Sequence, residues 1–335
     1  MNDRDYLFDN LKATLIFSVV IAHYFRVSGS FAVPTFGGIV YMISFSYIMQ
    51  GFLFVSGYFS RNLDKCRRTS FQNFLFPYLV LMPVMFCIRY LLFGHAHLDF
   101  TLPTMALWYL LTLFAYRFLL KDLVRIKYIL PISVVVSLTA GFVPPLDSTL
   151  SLGRTFSFLP FFLLGYYFKG DWIERLRKIP KAAGILLLAA LIGLTAYVAL
   201  HRIIPLSALY MKSSYASTGL TGGQGVGVRI VISLISIAWI FTFINLLPRG
   251  RTFLSLIGQN TMEVYVLHIA VRYVVKRFGG VFGQDVLSYL TLTLIAVMAV
   301  WIFSRPGVAR RYNALFDFLY RWVITIPGTL IRRIL

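Results

Sequence analysis

Lys12 and His23 stand eleven residues apart in the first apolar stretch of the chain. At about 100° per residue, eleven residues make three turns plus roughly 20°, so the two side chains share one helix face. At about 1.5 Å per residue they lie some 16 Å apart along the axis. Lys12 then sits at one edge of a bilayer and His23 about midway through it. A neutral imidazole held there is a general base. The plainer alternative is a histidine hydrogen-bonded to a neighbouring helix.

Ionisable side chains inside a membrane are costly, which makes each one a functional candidate. The segment Asn260-Thr261-Met262-Glu263-Val264-Tyr265-Val266-Leu267-His268 supplies two more. Glu263 and His268 are five residues apart, about 140° round a helix, and do not share a face. Glu263 would orient a histidine, pair with Lys12 or fix helix packing. Arg154 opens a later apolar run, and Arg89 lies near the outer end of another. Either suits an anionic or hydroxyl-rich acceptor, although Arg89 can also snorkel to the interface. Arg61, Lys65, Arg67 and Arg68 cluster at the end of the second run. Such a set can hold a phosphate-bearing cofactor through charge-assisted bonds, or be ordinary loop charge. His95 and His97 form a His-x-His pair, and a metal needs more ligands than that, so no metal is expected. Cys66 and Cys87 suggest neither a disulfide nor zinc.

The elements that must position these groups follow from composition. Of 335 residues, 59% are hydrophobic and only 13% are charged, where an average soluble domain has about 25%. That excludes a soluble domain of this size, and the hydrophobicity excludes a disordered chain. The fold class is an all-α polytopic membrane protein. At about 20 residues per crossing, apolar runs near 11–27, 38–59, 74–93, 105–120, 128–143, 155–169, 182–200, 228–246, 258–275 and 287–303 predict about ten transmembrane helices. No cleavage site follows the first run, since His23-Tyr24-Phe25-Arg26 comes next, so it reads as a retained helix and not a signal peptide.

The net charge is +20, and its distribution gives orientation. Of the 32 Lys and Arg, 23 fall on the side of the termini and nine on the other. The positive-inside rule puts both termini in the cytoplasm. No nucleic-acid motif accompanies the basic residues, so nucleic acid is not an expected partner. Residues 1–303 form the membrane domain, and 304–335 a basic cytoplasmic or interfacial tail. Leu315, Phe316, Phe318, Leu319, Trp322 and Val323 alternate there with Asp317 and Arg321, as in an amphipathic helix lying on a leaflet. Segment 201–227 is a polar, glycine-rich outer loop, expected to be flexible, and it matches no phosphate-loop spacing.

Phe8-Asp9-Asn10-Leu11-Lys12, with His23 after ten further residues, resembles the opening motif of acyltransferase family 3, in its fucose 4-O-acetylase-like branch. Further elements are similar in order: Phe54-Val55-Ser56-Gly57-Tyr58-Phe59, Leu107-Trp108-Tyr109-Leu110, Arg154-Thr155 with Leu159-Pro160-Phe161-Phe162-Leu163-Leu164-Gly165-Tyr166-Tyr167, and Gly258-Gln259-Asn260-Thr261 through Tyr265 to His268. The likeness spans residues 6 to about 303. Two features depart from it. The family often places Arg-x-x-Arg before Pro-Tyr on the third helix, whereas Gln72-Asn73-Phe74-Leu75-Phe76 precede Pro77-Tyr78 here, with Lys65-Cys66-Arg67-Arg68 as a stand-in. Ala13 also replaces a frequent Gly.

The resemblance implies a ten-helix O-acetyltransferase of the bacterial cytoplasmic (inner) membrane. Such an enzyme moves acetyl from cytoplasmic acetyl-CoA to a sugar hydroxyl of an extracytoplasmic or lipid-linked glycan. On that reading His23 deprotonates the acceptor or carries the acetyl group as acyl-imidazole. Lys12, paired with Asp9, binds the donor or stabilises charge on the thioester oxygen, with Glu263 as a weaker third catalytic residue. Arg61, Lys65, Arg67 and Arg68 hold the CoA phosphates. Arg154, Trp108, Tyr58 and His268 contact the acceptor, with Trp108 and Tyr109 lining the sugar path or simply packing. A glycan flippase or small secondary transporter is the alternative. It would call for broken helices or a repeated half, and neither is evident in the sequence. A glycan polymerase would need a larger outer loop than 201–227.

Overall fold

The computed structural model describes residues 5–28, 31–147 and 149–327. Among them the regular structure is entirely helical. In chain order the α-helices are α1 (Leu7–Phe25), α2 (Phe36–Phe45), α3 (Ile48–Tyr58), α4 (Leu63–Ser70), α5 (Phe76–Phe93), α6 (Trp108–Leu123), α7 (Ile129–Thr139), α8 (Leu152–Tyr167), α9 (Gly170–Lys178), α10 (Lys181–Leu200), α11 (Leu206–Leu209), α12 (Gly222–Leu246), α13 (Phe253–Gln259), α14 (Thr261–Arg277), α15 (Val286–Phe303) and α16 (Pro306–Tyr320).

Five helical stretches are long and apolar enough to cross a membrane: Phe36–Tyr58, Leu63–Phe93, Lys181–Leu200, Gly222–Leu246 and Val286–Phe303. The helices α1, α6, α8 and α14 are shorter or more polar, and they carry most of the sequence's candidate residues. Their position explains this. α1 packs against α2, α3, α13, α14 and α15, and most of its length is buried, Asp9 and Asn10 included. A helix enclosed by other helices can carry polar groups that a lipid-facing one cannot. By contrast, α10 and α15 expose Leu186, Leu194, Leu287 and Leu290.

Close crossings hold the interior together. A Cβ on Gly57 would lie 1.9 Å from the Phe162 carbonyl oxygen, and one on Gly165 would lie 1.9 Å from that of Phe54. This reciprocal glycine pair lets α3 and α8 meet backbone to backbone. Gly258 does the same between α13 and α1, where its Cβ would meet the Asp9 carbonyl oxygen at 1.7 Å. Asn10 locks the same corner. Its amide donates to the carbonyls of Pro248 (2.8 Å) and Gly250 (3.2 Å), and its oxygen accepts from Thr252 (2.7 Å) and Ser255 (2.8 Å).

Three expectations from the sequence change. The run 38–59 is broken at Ser46-Tyr47, where the Ser46 hydroxyl donates back to Ile43 (2.6 Å) and competes with the helix. The freed, buried Ser46 carbonyl accepts from Ser236 at 2.7 Å. Run 258–275 is likewise interrupted at Asn260, which leaves helical geometry (φ −118°, ψ 41°) and donates to the Ser304 carbonyl at 2.8 Å. Two of the apolar runs are thus broken helices, which the sequence did not make evident. Lastly, the expected flexible glycine run becomes the first turns of α12. A capping box of Thr221 and Gln224 starts that helix early, and Gly225 lies under the Tyr215 ring.

In the tail, α16 exposes Leu315 and Phe318, and Trp322 and Val323 follow them on the surface, whereas Tyr312 and Phe316 pack against the hydrophobic core. Residues 328–335 of the tail lie outside the described residues.

Candidate active site

His23 belongs to the last turn of α1 and His268 to the middle of α14. Their rings meet, with His23 Nδ1 at 2.9 Å from His268 Nε2. The ring planes are 12° apart and the centroids 5.2 Å apart. That combination is an edge-to-edge contact in a common plane, the geometry of an N–H···N bond rather than of stacking. The neighbouring atoms assign the protons. His268 Nδ1 lies 3.0 Å from the Val264 carbonyl. A carbonyl only accepts, so Nδ1 carries the hydrogen. In the neutral ring Nε2 is then an acceptor, and His23 must donate from Nδ1. This leaves the lone pair of His23 on Nε2. The constraint is the one a buried carboxylate places on the histidine of a hydrolase triad.

His23 lines a cavity of about 520 Å³, within the usual size of a small-molecule site. Trp108 and Arg154 line it too, with the guanidinium 4.6 Å from the centre of the indole. Tyr41, Tyr210, Arg26, Arg272 and Lys276 complete its polar wall. A second cavity, of about 170 Å³, is lined by Lys12, Ser56, Tyr109, Arg117 and Thr261. Tyr265 lines both. Its hydroxyl donates to the Ala106 carbonyl at 2.5 Å, and its ring lies 5.3 Å from Tyr109 and 5.9 Å from His268. Lys12 forms the expected ion pair with Asp9 at 3.0 Å.

The remaining candidates scatter. Glu263 is buried but meets neither Lys12 nor a histidine, and it accepts from Asn313 of α16 at 3.3 Å. Tyr58 packs on Phe8 (4.4 Å) beneath the Arg61 guanidinium (4.8 Å), and it lines neither cavity. Tyr109 faces the Lys12 cavity, not the one that holds Trp108. Arg61 donates to the Phe168 carbonyl (2.6 Å), and Arg67 donates to the Phe118 carbonyl and pairs with Asp122. Lys65 and Arg68 are exposed. The four basic residues therefore do not converge. Arg89 donates to Thr104 at 3.2 Å. His268, placed by sequence with the acceptor, lines neither cavity and is hydrogen-bonded to His23. Among the described residues no group of three His, Cys, Asp or Glu stands close enough to hold a metal, and Cys66 and Cys87 are free thiols.

Arg26, Arg117, Arg272 and Lys276 are not singled out by the sequence motifs, and Tyr265 stands only within one. A signal was available on α14. His268, Arg272 and Lys276 follow at i, i+4 and i+8, a polar stripe on one face, and Arg26, the C-cap of α1, stands three residues after His23. Arg117 lacked such a signal, because its distance from Lys12 in sequence hides their common cavity.

No curated protein and no solved structure matches the chain. Residues 5–305 match the acyltransferase domain of acyltransferase family 3. That region takes in both cavities, the His23–His268 pair and Lys12. The chain belongs to this family of membrane acyltransferases.

Proposed function

We propose that the protein is an integral-membrane O-acetyltransferase of the bacterial cytoplasmic membrane. It takes acetyl from acetyl-CoA at the face bearing the termini and delivers it to a sugar hydroxyl of an extracytoplasmic or lipid-linked glycan. The observation that carries this reading is the hydrogen bond from His23 Nδ1 to His268, which leaves a basic Nε2 on a residue lining the larger cavity.

In the proposed reaction His23 Nε2 takes the proton of the acceptor hydroxyl. The oxygen attacks the thioester carbonyl carbon, the carbon–sulfur bond breaks, and the CoA thiolate recovers the proton from the imidazolium. Lys12 and Arg117, which share the smaller cavity, hold the phosphate-bearing end of the donor through charge-assisted bonds. They replace Arg61, Lys65, Arg67 and Arg68 in that role. Tyr265, which lines both cavities, stands where the thioester reaches from the smaller cavity to His23 in the larger one.

The test is the mass of the cell-surface glycan in a deletion strain complemented with wild type or with His23→Ala. Loss of one acetyl mass in both the deletion and the His23→Ala strain, with normal protein level, is expected. Acetylation by His23→Ala overturns the proposal. Loss of the whole polymer points to the flippase alternative.

A further inference from the structure

The cavity next to His23 is built for negative charge. By the loop pattern, nine of the 32 Lys and Arg lie on the sparsely charged side. Four of these, Arg26, Arg154, Arg272 and Lys276, line this one cavity. No Asp or Glu lines it among the described residues, and none forms an ion pair with any of the four. Instead each cation lies over an aromatic face: Arg26 over Phe31 (4.5 Å), Arg154 over Trp108 (4.6 Å), Arg272 over Tyr273 (5.9 Å) and Lys276 over Phe93 (5.4 Å). A ring face holds a cation without using its N–H donors, so the donors stay available to a ligand.

Ordinary explanations do not cover this arrangement. Positive-inside charge belongs on the other face. Snorkelling fails for Arg272, whose side chain sits in a residue only 9% exposed and whose Nε has no partner. An unpaired buried guanidinium is strongly unfavourable, and neighbouring like charges add to the cost. One developing oxyanion would call for one such group, not four. A neutral sugar hydroxyl would leave the cations uncompensated. A ligand bearing formal negative charge resolves all of these at once, through charge-assisted and bidentate bonds that arginine geometry favours.

We infer that the acceptor is itself anionic: a glycan carrying phosphate or carboxylate close to the hydroxyl that is acylated. Arg154 and Arg272 hold the anion at depth, and the exposed Arg26 and Lys276 guide it in. The word acceptor rests on the acyltransferase reading, whereas the anion site does not.

The experiment uses the full chain in zwitterionic nanodiscs. Thermal unfolding is followed with glucose 1-phosphate, methyl glucuronide or methyl glucoside at equal ionic strength set with sodium chloride. Both anionic sugars, or one of them, raise the midpoint, and methyl glucoside does not. A response to only one of the pair identifies the anion as phosphate or as carboxylate. Arg154→Gln weakens the apparent affinity for the anionic sugar by about tenfold or more, as expected for loss of a charge-assisted bond, and Arg154→Lys recovers part of it. Lys276→Gln, on the exposed rim, gives a second variant that does not endanger folding. Equal stabilisation by methyl glucoside overturns the inference, as does no stabilisation by either anionic sugar or full retention in Arg154→Gln. Protection by adenosine 3′,5′-bisphosphate that Arg154→Gln abolishes, in preference to the sugars, reassigns the cavity to the donor and also overturns it. Release of CoA from acetyl-CoA is measured in the same preparation. Anion binding without any His23-dependent CoA release leaves the site standing and removes the acyltransferase reading. CoA release with no preference for anionic sugars does the reverse.

Discussion

His23 Nδ1 and His268 Nε2 share one hydrogen bond of 2.9 Å between residues 245 positions apart in the chain. The bond ties the end of α1 to the middle of α14, and the Val264 carbonyl fixes the direction of its proton. In the proposed reaction His268 is then a positioning residue. It does not line the larger cavity, whereas His23 does.

Replacing His268 should therefore impair the base without removing it. His268→Ala is expected to lower kcat about 100-fold, the low end of what a correctly protonated general base contributes. The KM for acetyl-CoA stays within about twofold, because the variant touches no proposed donor contact. His268→Gln recovers activity, since its amide oxygen can accept from His23 Nδ1. Steady-state kinetics with a titrated donor separate these outcomes. A purely structural role for His268 predicts equal damage from both variants and no such split.

The donor end gives a different pattern. Lys12 and Arg117 share a cavity, whereas Lys65 and Arg68 face outward. Lys12→Met and Arg117→Met are each expected to raise the KM for acetyl-CoA about tenfold, at the lower edge of the cost of a lost bond to a charged group. Lys65→Ala and Arg68→Ala leave it within about twofold. Donor titration on the four proteins is decisive, and the reverse order would return the phosphates to the α4 cluster.

Orientation is open to a direct measurement. By the positive-inside rule Lys65 is expected in the cytoplasm and Gly223 outside. In a cysteine-free background, Lys65→Cys should react with an impermeant maleimide only after cells are permeabilised, and Gly223→Cys should react in intact cells. Labelling of Lys65→Cys from outside inverts the topology and the donor assignment with it.

The sequence exposed the part of this site that lies on one helix. Lys12 and His23 were legible because their spacing is set by helix geometry alone. The all-helical membrane class followed from composition for the same reason, being a property of the chain and not of its contacts. What stayed hidden depends on helix pairing. The His23–His268 bond, the Arg117–Lys12 cavity and the convergence of Arg154 with Arg272 each join residues far apart in sequence. The breaks at Ser46 and Asn260 were missed because each is held by a distant partner: the Ser236 hydroxyl satisfies the freed Ser46 carbonyl, and the Asn260 amide donates to the Ser304 carbonyl. Apolar periodicity does not register such a partner.

Gly258 offers the most severe test of how α1 is placed. Its hydrogen stands where a Cβ would lie 1.7 Å from the carbonyl oxygen of Asp9, and backbone cannot turn aside as a side chain can. In Gly258→Ala the helices α13 and α1 must separate, which loosens the four hydrogen bonds of Asn10 and shifts Lys12. Overpacking of this kind costs about 1–3 kcal/mol where a site can relax and more where it cannot. The expected result is a clear fall in melting temperature, followed by fluorescence-detected size exclusion, together with a higher KM for the donor. Gly227 in α12 is the control, because a Cβ there meets nothing within 4 Å. Gly227→Ala should leave the melting temperature unchanged or raise it, since alanine favours a helix interior by roughly 0.5–1 kcal/mol over glycine. Equal behaviour of the two variants would show that α1 and α13 do not pack this closely.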